Sequence, residues 1–148
     1  MNDQLASRYV RQQDLIPAQR LASCRVTVIG VGAIGRQVAL QLAAIGTSRL
    51  EIMDFDHVAV ENLAAQGFLE EDLGQLKVQA VVDMCRKINS EIQVRADPQR
   101  FRRSMEIGDV IFCCVDSIAT RRFIWEAVRD KVRLLIDTRM SAEVVRIL

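Results

Sequence analysis

Three glycines follow a short apolar run near the start of the chain, in the spacing Gly30-x-Gly32-x-x-Gly35. Glycines at this spacing let backbone N–H groups and a helix amino terminus approach a phosphate, because no Cβ stands in the way. Asp54 follows Gly30 by 24 residues, where an acidic side chain can accept hydrogen bonds from ribose hydroxyls. This pattern favours a nucleotide site over glycines that serve only close helix–strand packing. It does not choose between NAD, FAD and ATP.

These residues need a strand before the glycines and a helix after them, and the sequence predicts both. Residues 25–29 form a β-branched run bounded by glycine, which is typical of a buried strand. The helix that follows has an apolar stripe at helical spacing and ends near Gly46. The stripe consists of Ile34, Val38, Leu42 and Ile45, and Arg36, Gln37 and Gln41 are predicted to lie away from it.

Further strands and helices alternate along the rest of the chain. Strands are predicted at 49–54, 92–96, 110–115, 134–136 and 144–148, and helices at 76–89 and 117–130. This alternation predicts right-handed crossovers and an α/β fold, with a Rossmann-like, doubly wound, mostly parallel sheet and helices on both faces. Residues 1–24 are predicted to form an arm or short helix ahead of a nucleotide-binding domain at 25–148.

Composition limits the classes of partner. A net charge of +1 over 148 residues argues against strong attraction to nucleic acid or to a membrane surface. Neither a secretory signal nor an apolar run of 18 residues is predicted. The four cysteines contain no C-x-x-C pair, which indicates a reducing cytoplasm and no zinc site. Residues 95–148 are mildly basic, which favours a solvated arginine-rich face over docking of an acidic partner.

The connection after Asp54 carries motifs that a glycine fingerprint alone does not explain. Along the chain come Arg8-Tyr9-x-Arg11-Gln12, Asp54-x-Asp56, Asn62-Leu63-x-x-Gln66, Asp72-x-Gly74-x-x-Lys77 and Asp116-Ser117. In order and spacing this set resembles the ThiF/MoeB/HesA family of adenylyltransferases, relatives of the ubiquitin-activating enzymes. The resemblance runs from Arg8 to the end of the chain. A nicotinamide dehydrogenase would have no need of this set.

The resemblance implies an enzyme that uses ATP and Mg²⁺ to adenylate the C-terminal carboxylate of a ubiquitin-like or sulfur-carrier protein, with release of pyrophosphate. Because one anion attacks another, such a site needs positive charge and donors where negative charge builds up. The resemblance implies three catalytic residues: Lys77 on the phosphates, Asp116 on magnesium, and Arg11 on the γ-phosphate in the other subunit of a homodimer. The implied nucleotide-binding residues are Gly30, Gly32, Gly35, Asp54 at the ribose, Asn62, Gln66, Lys77 and Ser117.

Several residues also have a plainer interpretation. Lys77 opens a helix, where most lysines are only solvated. Asp116 directly precedes a helix and could cap it, with or without binding a metal. Asp56 is better explained as a turn residue, and Phe123 and Trp125 as core or subunit contact.

The sequence departs from the family in two places. Ala65 stands where the family usually has an arginine, and one positioned donor of this kind contributes on the order of 2.7–4 kcal/mol to the transition state. Arg11 or Arg139 could supply the missing charge. The family also normally continues into further strands, so the chain is expected to be truncated at the C-terminus, and Cys113 and Cys114 are predicted to be poor nucleophiles.

These departures keep an alternative open. The chain could bind nucleotide, or dock a partner, without turnover. An NAD-dependent oxidoreductase is a further alternative that keeps the glycines but ignores residues 56–77.

Overall fold

The computed structural model describes residues 7–141 and 144–147. The strands are β1 (Arg25–Ile29), β2 (Arg49–Met53), β3 (Gln93–Asp97), β4 (Val110–Cys113), β5 (Leu134–Ser141) and β6 (Val144–Ile147). The α-helices are α1 (Ala18–Ser23), α2 (Ala33–Ile45), α3 (Val60–Gln66), α4 (Lys77–Ile88) and α5 (Ile118–Val128). Residues 1–6 of the predicted arm and Leu148 of the last predicted strand lie outside the described residues.

One six-stranded sheet organises the molecule, in the order β3-β2-β1-β4-β5-β6. Strands β1 to β5 run parallel, and β6 is antiparallel to β5. The prediction of a Rossmann-like, mostly parallel sheet is therefore confirmed. Because the strand order reverses at β1, a crevice opens outside the carboxyl ends of β1 and β4, where sheets of this kind bind ligands.

Helices cover both faces of the sheet, as predicted. On one face α2 and α4 enclose a core that includes Val28, Ile52 and Val81. On the other face α5 packs Ile124 and Val128 against the sheet. Phe123 and Trp125 belong to the outer side of α5 and are exposed, which excludes the core but not the subunit contact that was predicted as its alternative.

Helix α2 does not bury the stripe that its sequence predicts. Its buried side carries Gly35, Arg36, Ala39 and Ala43. The apolar stripe is only half-buried and lines an open groove beside Phe112. The reason is that small residues let α4 approach closely, so that the Cys85 thiol donates to the Ala39 carbonyl over 3.6 Å. Arg36 lies away from the stripe, as predicted, but on the side of the helix that is buried.

The segment before β1 is fastened to the carboxyl ends of α2 and α4. The Gln12 side chain donates to the Ile45 carbonyl over 2.6 Å. The Asn89 side chain donates to the Tyr9 hydroxyl over 3.3 Å and to the Ala43 carbonyl over 3.2 Å. Tyr9 and Gln12 of the predicted Arg8–Gln12 motif thus hold the segment at the amino edge of the sheet.

The long polar connection after β2 is ordered. It contains α3 and a short 3₁₀ turn, Glu70–Asp72. Strands β2 and β4 end earlier than predicted, so that Asp54 and Asp116 lie just beyond the sheet. None of the helices in the described part of the chain is long and apolar enough to cross a membrane.

Candidate functional site

A cavity of about 830 Å³ opens at the carboxyl edge of the sheet, a volume typical of small-molecule sites. The loop after β1, the end of β2 and the residues after β4 form its walls. Seven of the sequence-predicted residues line it: Gly30, Gly32, Asp54, Gln66, Lys77, Asp116 and Ser117. Gly35, Asn62 and Arg11 are not among the lining residues.

The glycine loop is shaped by backbone geometry. Gly30 has a φ of +85°, in the left-handed region that L side chains rarely adopt. A Cβ at Gly35 would lie 1.8 Å from the Gly30 carbonyl oxygen, so α2 can approach β1 only because position 35 has no side chain. Gly35 therefore shapes the path of the loop and does not line the cavity, and its role at a nucleotide stays a prediction.

Asp54 organises the same loop from the end of β2. One carboxylate oxygen accepts the Val31 N–H over 2.8 Å, and the other accepts the Asp56 N–H over 2.9 Å. Each oxygen keeps a further lone pair, which a ribose hydroxyl can use. The predicted ribose role and a structural role are therefore compatible.

Lys77 is a buried cation in the cavity wall. Only 7% of the residue is exposed, so the interpretation as a solvated lysine does not hold. Its ammonium lies 3.6 Å from the Asp56 carboxylate, and its backbone N–H donates to the Asp56 carbonyl over 2.9 Å. The exposed Asp56 carboxylate balances the charge of Lys77 at the cavity mouth. Asp56 is therefore more than a turn residue.

Helix capping and metal binding, which the sequence allowed for Asp116 together, are separated in the structure between Ser117 and Asp116. The Ser117 hydroxyl accepts the Thr120 N–H over 3.3 Å and caps α5, so the cap does not fall to Asp116. The exposed Asp116 carboxylate lines the cavity. In residues 7–141 and 144–147, no group of three or more His, Cys, Asp or Glu residues is placed to hold a metal. Mg²⁺ bound to nucleotide commonly uses only one or two protein carboxylates with phosphates and water, and Asp116 fits that need.

Of the two predicted residues on helix α3, Gln66 lines the cavity and Asn62 contributes to the helix itself. A Cβ at Gly32 would lie 3.8 Å from the Gln66 carboxamide, whose oxygen is buried and has no hydrogen-bond partner among the described residues. The Asn62 carboxamide oxygen instead accepts the Ala59 N–H over 2.9 Å, which stabilises the start of α3. Ala65 is exposed on the same helix.

The sequence analysis missed the aromatic rim of the cavity. Phe55 and Phe123 line it and are partly exposed, and the Arg100 guanidinium lies 4.0 Å from the Phe55 ring centroid. This distance is within the range of a cation–π contact. One signal could have indicated Phe55, an aromatic residue between two aspartates in a polar loop. No pattern in the sequence indicated Arg100, which comes from the distant connection after β3.

A second missed feature is an ion pair in the cavity wall, which Arg121 lines. Arg121, 8% exposed, pairs with Asp137 and donates to the Cys113 carbonyl over 3.2 Å. Arg139 Nε donates to the same Asp137 over 2.8 Å. Arg139, considered as a replacement for the missing arginine, therefore shares its counter-ion with Arg121.

The adjacent cysteines beside this ion pair stay protonated. Burial raises the pKa of Cys113 to about 11 and raises the pKa of Cys114, so both thiols are neutral at physiological pH. Since the thiolate is the nucleophile, the geometry agrees with the prediction that neither cysteine is reactive.

The fold and the cavity define the chain as a Rossmann-like α/β domain with a glycine loop at its topological switch point. The chain belongs to the ThiF family, whose model matches residues 2–142. It is 34% identical to the sulfur carrier protein ThiS adenylyltransferase of Escherichia coli over 84% of its length. It is also 34% identical to adenylyltransferase and sulfurtransferase uba4 of Aspergillus terreus over 97% of its length. It spans 54% of the first relative and 31% of the second.

Solved structures share the fold. E. coli MccB, in a crystal structure with succinimide, matches 93% of the chain with a TM-score of 0.83 and 21% identity. The E. coli tRNA N6-threonylcarbamoyladenosine dehydratase TcdA matches 90% with a TM-score of 0.77 and 24% identity. The chain covers 45% and 60% of these structures. MccB has also been solved with ATP.

Proposed function

We propose that the chain uses ATP to adenylate the C-terminal carboxylate of a ubiquitin-like or sulfur-carrier protein. The carboxylate attacks the α-phosphate, an acyl-adenylate forms, and pyrophosphate leaves. The main support is that Lys77 and Asp116, far apart in the sequence, line one cavity beside the amino end of α2. The adenylyltransferase names of the relatives support the reaction class.

Different residues would bind the ribose, the phosphates and Mg²⁺, according to the charge of each group. The glycine loop and the amino end of α2 offer N–H groups to phosphate oxygens. Asp54 holds the ribose. Gln66 presents its carboxamide near Gly32, and the carboxamide oxygen, which has no partner among the described residues, can accept a hydrogen bond from the nucleotide. Lys77 offsets negative charge that builds up on the phosphates, and burial strengthens its effect. Asp116 would hold Mg²⁺, which supplies further positive charge to the phosphates when bound.

Arg11 belongs to this proposal only through a second subunit. The segment around it is fastened at the carboxyl end of α2, and the 13 residues of that helix span about 20 Å. Arg11 is exposed there, far from the cavity of its own chain. We propose a homodimer in which Arg11 reaches the phosphates of the partner subunit, with residues 1–24 as the arm and 25–148 as the ATP-binding domain. The four free cysteines fit a reducing cytoplasm.

Pyrophosphate exchange with a cognate carrier protein tests the reaction. ATP should form from labelled pyrophosphate only when the carrier is present, and a carrier whose C-terminal carboxylate is amidated is the control. No exchange with tight Mg-ATP binding would select a nucleotide-binding domain without turnover, which the exposed Ala65 favours. Binding of NADH but not ATP would instead select the oxidoreductase alternative.

Mixing two variants tests the proposed dimer. Arg11→Ala and Lys77→Met should each be inactive alone. If Arg11 acts across the interface, subunit exchange between them gives heterodimers with one intact site, and exchange activity returns. A mixture that stays inactive although heterodimers form would contradict the assignment of Arg11.

A further inference from the structure

Two helices open at the carboxyl edge of the sheet, and each carries a buried arginine as its fourth residue. Arg36 of α2 is 7% exposed and Arg121 of α5 is 8% exposed. Arg121 pairs with Asp137 and with a backbone carbonyl. The matching position makes Arg121 an internal reference for Arg36.

Arg36 differs from Arg121 in its partners. Among the described residues no carboxylate lies within 4.0 Å of its guanidinium. Within the same residues, the Arg36 side chain donates no hydrogen bond, and every hydrogen bond from an arginine side chain comes from another arginine. The nearby Cys85 is no substitute, because burial raises its pKa to about 11 and keeps it a neutral thiol.

The side chain is buried mainly along its stem. None of the guanidinium nitrogens is both fully buried and without a partner, so they keep some contact with solvent. The charge has no counter-ion among the described residues, a cation in the first turn opposes the helix dipole, and the contact with the Phe68 ring centroid, at 5.4 Å, is weak. The free protein therefore carries an excess positive charge at the amino end of α2.

The position of the guanidinium relates this charge to the cavity. One of its nitrogens would lie 3.3 Å from a Cβ at Gly67, so it packs beneath the residue that follows Gln66. Gln66 itself lines the cavity and lies against Gly32. Arg36 is thus one residue behind the cavity wall, where it can act on a bound anion through Gln66 without touching it.

We propose that Arg36 is a positioning residue of the phosphate site. Its charge attracts the polyphosphate, and its packing beneath Gly67 holds Gln66 toward Gly32. The inference rests on the proposed function in that the anion is the triphosphate of ATP. It assigns to Arg36 the positive charge that Ala65 does not supply from α3.

The test compares Arg36→Met, which keeps the packing on Phe68, with Arg36→Lys, which keeps the charge. Arg49→Met is the matched control, because Arg49 is an exposed arginine at the opposite edge of the sheet. Calorimetry with inorganic tripolyphosphate and Mg²⁺ measures the affinity, and thermal unfolding without ligand measures the stability. We expect Arg36→Met to bind about tenfold more weakly, a smaller loss than removal of a contacting donor, and Arg36→Lys to recover most of the affinity.

The stability result separates a site role from a structural one. Arg36 has no ion pair and no side-chain hydrogen bond among the described residues, and methionine keeps its packing on Phe68, so the melting temperature of Arg36→Met should be equal to or above that of the wild type. A lower melting temperature with weaker binding would assign Arg36 to the fold and overturn the proposal. Equal binding by Arg36→Met and the wild type would also overturn it, as would a wild type that does not bind tripolyphosphate.

The outcome is distinguishable from a failure of the proposed reaction. If pyrophosphate exchange fails with a cognate carrier while tripolyphosphate affinity depends on Arg36, the adenylation is wrong and the role of Arg36 stands. If exchange proceeds and Arg36→Met leaves both affinity and rate unchanged, the adenylation stands and the role of Arg36 is wrong.

Discussion

The two edges of the sheet treat buried polar groups differently. At the amino edge, Asn89 and Gln12 have protein partners, and the Gly108 N–H donates to the Thr27 hydroxyl over 2.8 Å. Only the Thr47 hydroxyl is unpaired there among the described residues. At the carboxyl edge, within the part of the chain that the structure describes, one side-chain oxygen each of Gln66 and Asp97 has no partner, and Arg36 has no counter-ion.

The difference shows where stability and binding are located. Hydrogen bonds that are complete within the protein stabilise the fold, whereas a buried polar group without a partner costs free energy until a ligand satisfies it. Changes at the amino edge should therefore alter stability but not binding. Changes at the carboxyl edge should do the reverse, except where the glycine loop joins the two functions.

Gly35→Ala should have the largest effect, because it affects both functions. The added Cβ would meet the Gly30 carbonyl at 1.8 Å, and neither backbone can move without parting α2 from β1. We expect a loss of at least about 3 kcal/mol in the free energy of unfolding, measured by urea denaturation, together with loss of nucleotide binding. Gly74→Ala is the control. That glycine also has a positive φ but nothing within 4 Å of its Cβ position, so its replacement should cost only about 1–2 kcal/mol.

Lys77→Met should separate the functions at the carboxyl edge. Loss of a positioned cation should lower kcat for pyrophosphate exchange by about 10²- to 10³-fold. The free energy of unfolding should change by less than about 1 kcal/mol, because the abandoned partner Asp56 is exposed and stays hydrated. Denaturation and exchange assays on the same preparation check both. A large fall in stability would contradict the division between the edges.

Asn89→Ala should give the opposite result at the amino edge. It removes the bonds to Tyr9 and Ala43 and should cost about 1–3 kcal/mol of unfolding free energy. Mg-ATP affinity should not change. Tyr9→Phe, which removes a single hydroxyl, should cost only about 0.5–1.5 kcal/mol. Weaker ATP binding in either variant would show that the edges are coupled through α2.

The smallest effect concerns the buried thiol of Cys113. Its pKa is raised to about 11 from an ordinary value of 9.0, so the native state holds its proton where the unfolded chain loses it. The sign follows directly: the contribution of this group to stability is complete below about pH 9 and declines as pH rises toward 11. Alkylation with iodoacetamide at pH 8, mapped by mass spectrometry, should leave Cys113 unmodified until urea is added. Rapid modification in native buffer would contradict this.

Sequence reasoning succeeded where local pattern and spacing carry the information. The alternation of strands and helices predicted the sheet, and the motifs led to seven residues that line one cavity. It failed for α2, because small residues such as Ala39 and Ala43 form the tight contact and the larger apolar residues do not. It also could not place Arg100 against Phe55 or give Asp137 to Arg121, since these pairs depend on how distant segments cross in space.

The close contact between Gly35 and Gly30 has an evolutionary consequence. A lineage that stopped using its ligand would lose the selection on Lys77 and Asp116, yet it could not replace Gly35 without separating the first helix from the central strand. Descendants of such a protein would keep Gly30 and Gly35 long after the chemistry had gone, whereas Gly32, where a Cβ would meet nothing closer than the Gln66 carboxamide at 3.8 Å, would be free to change. Within this architecture, loss of Gly32 together with the charged residues would therefore mark loss of the ligand, and retention of Gly35 alone would not mark its use.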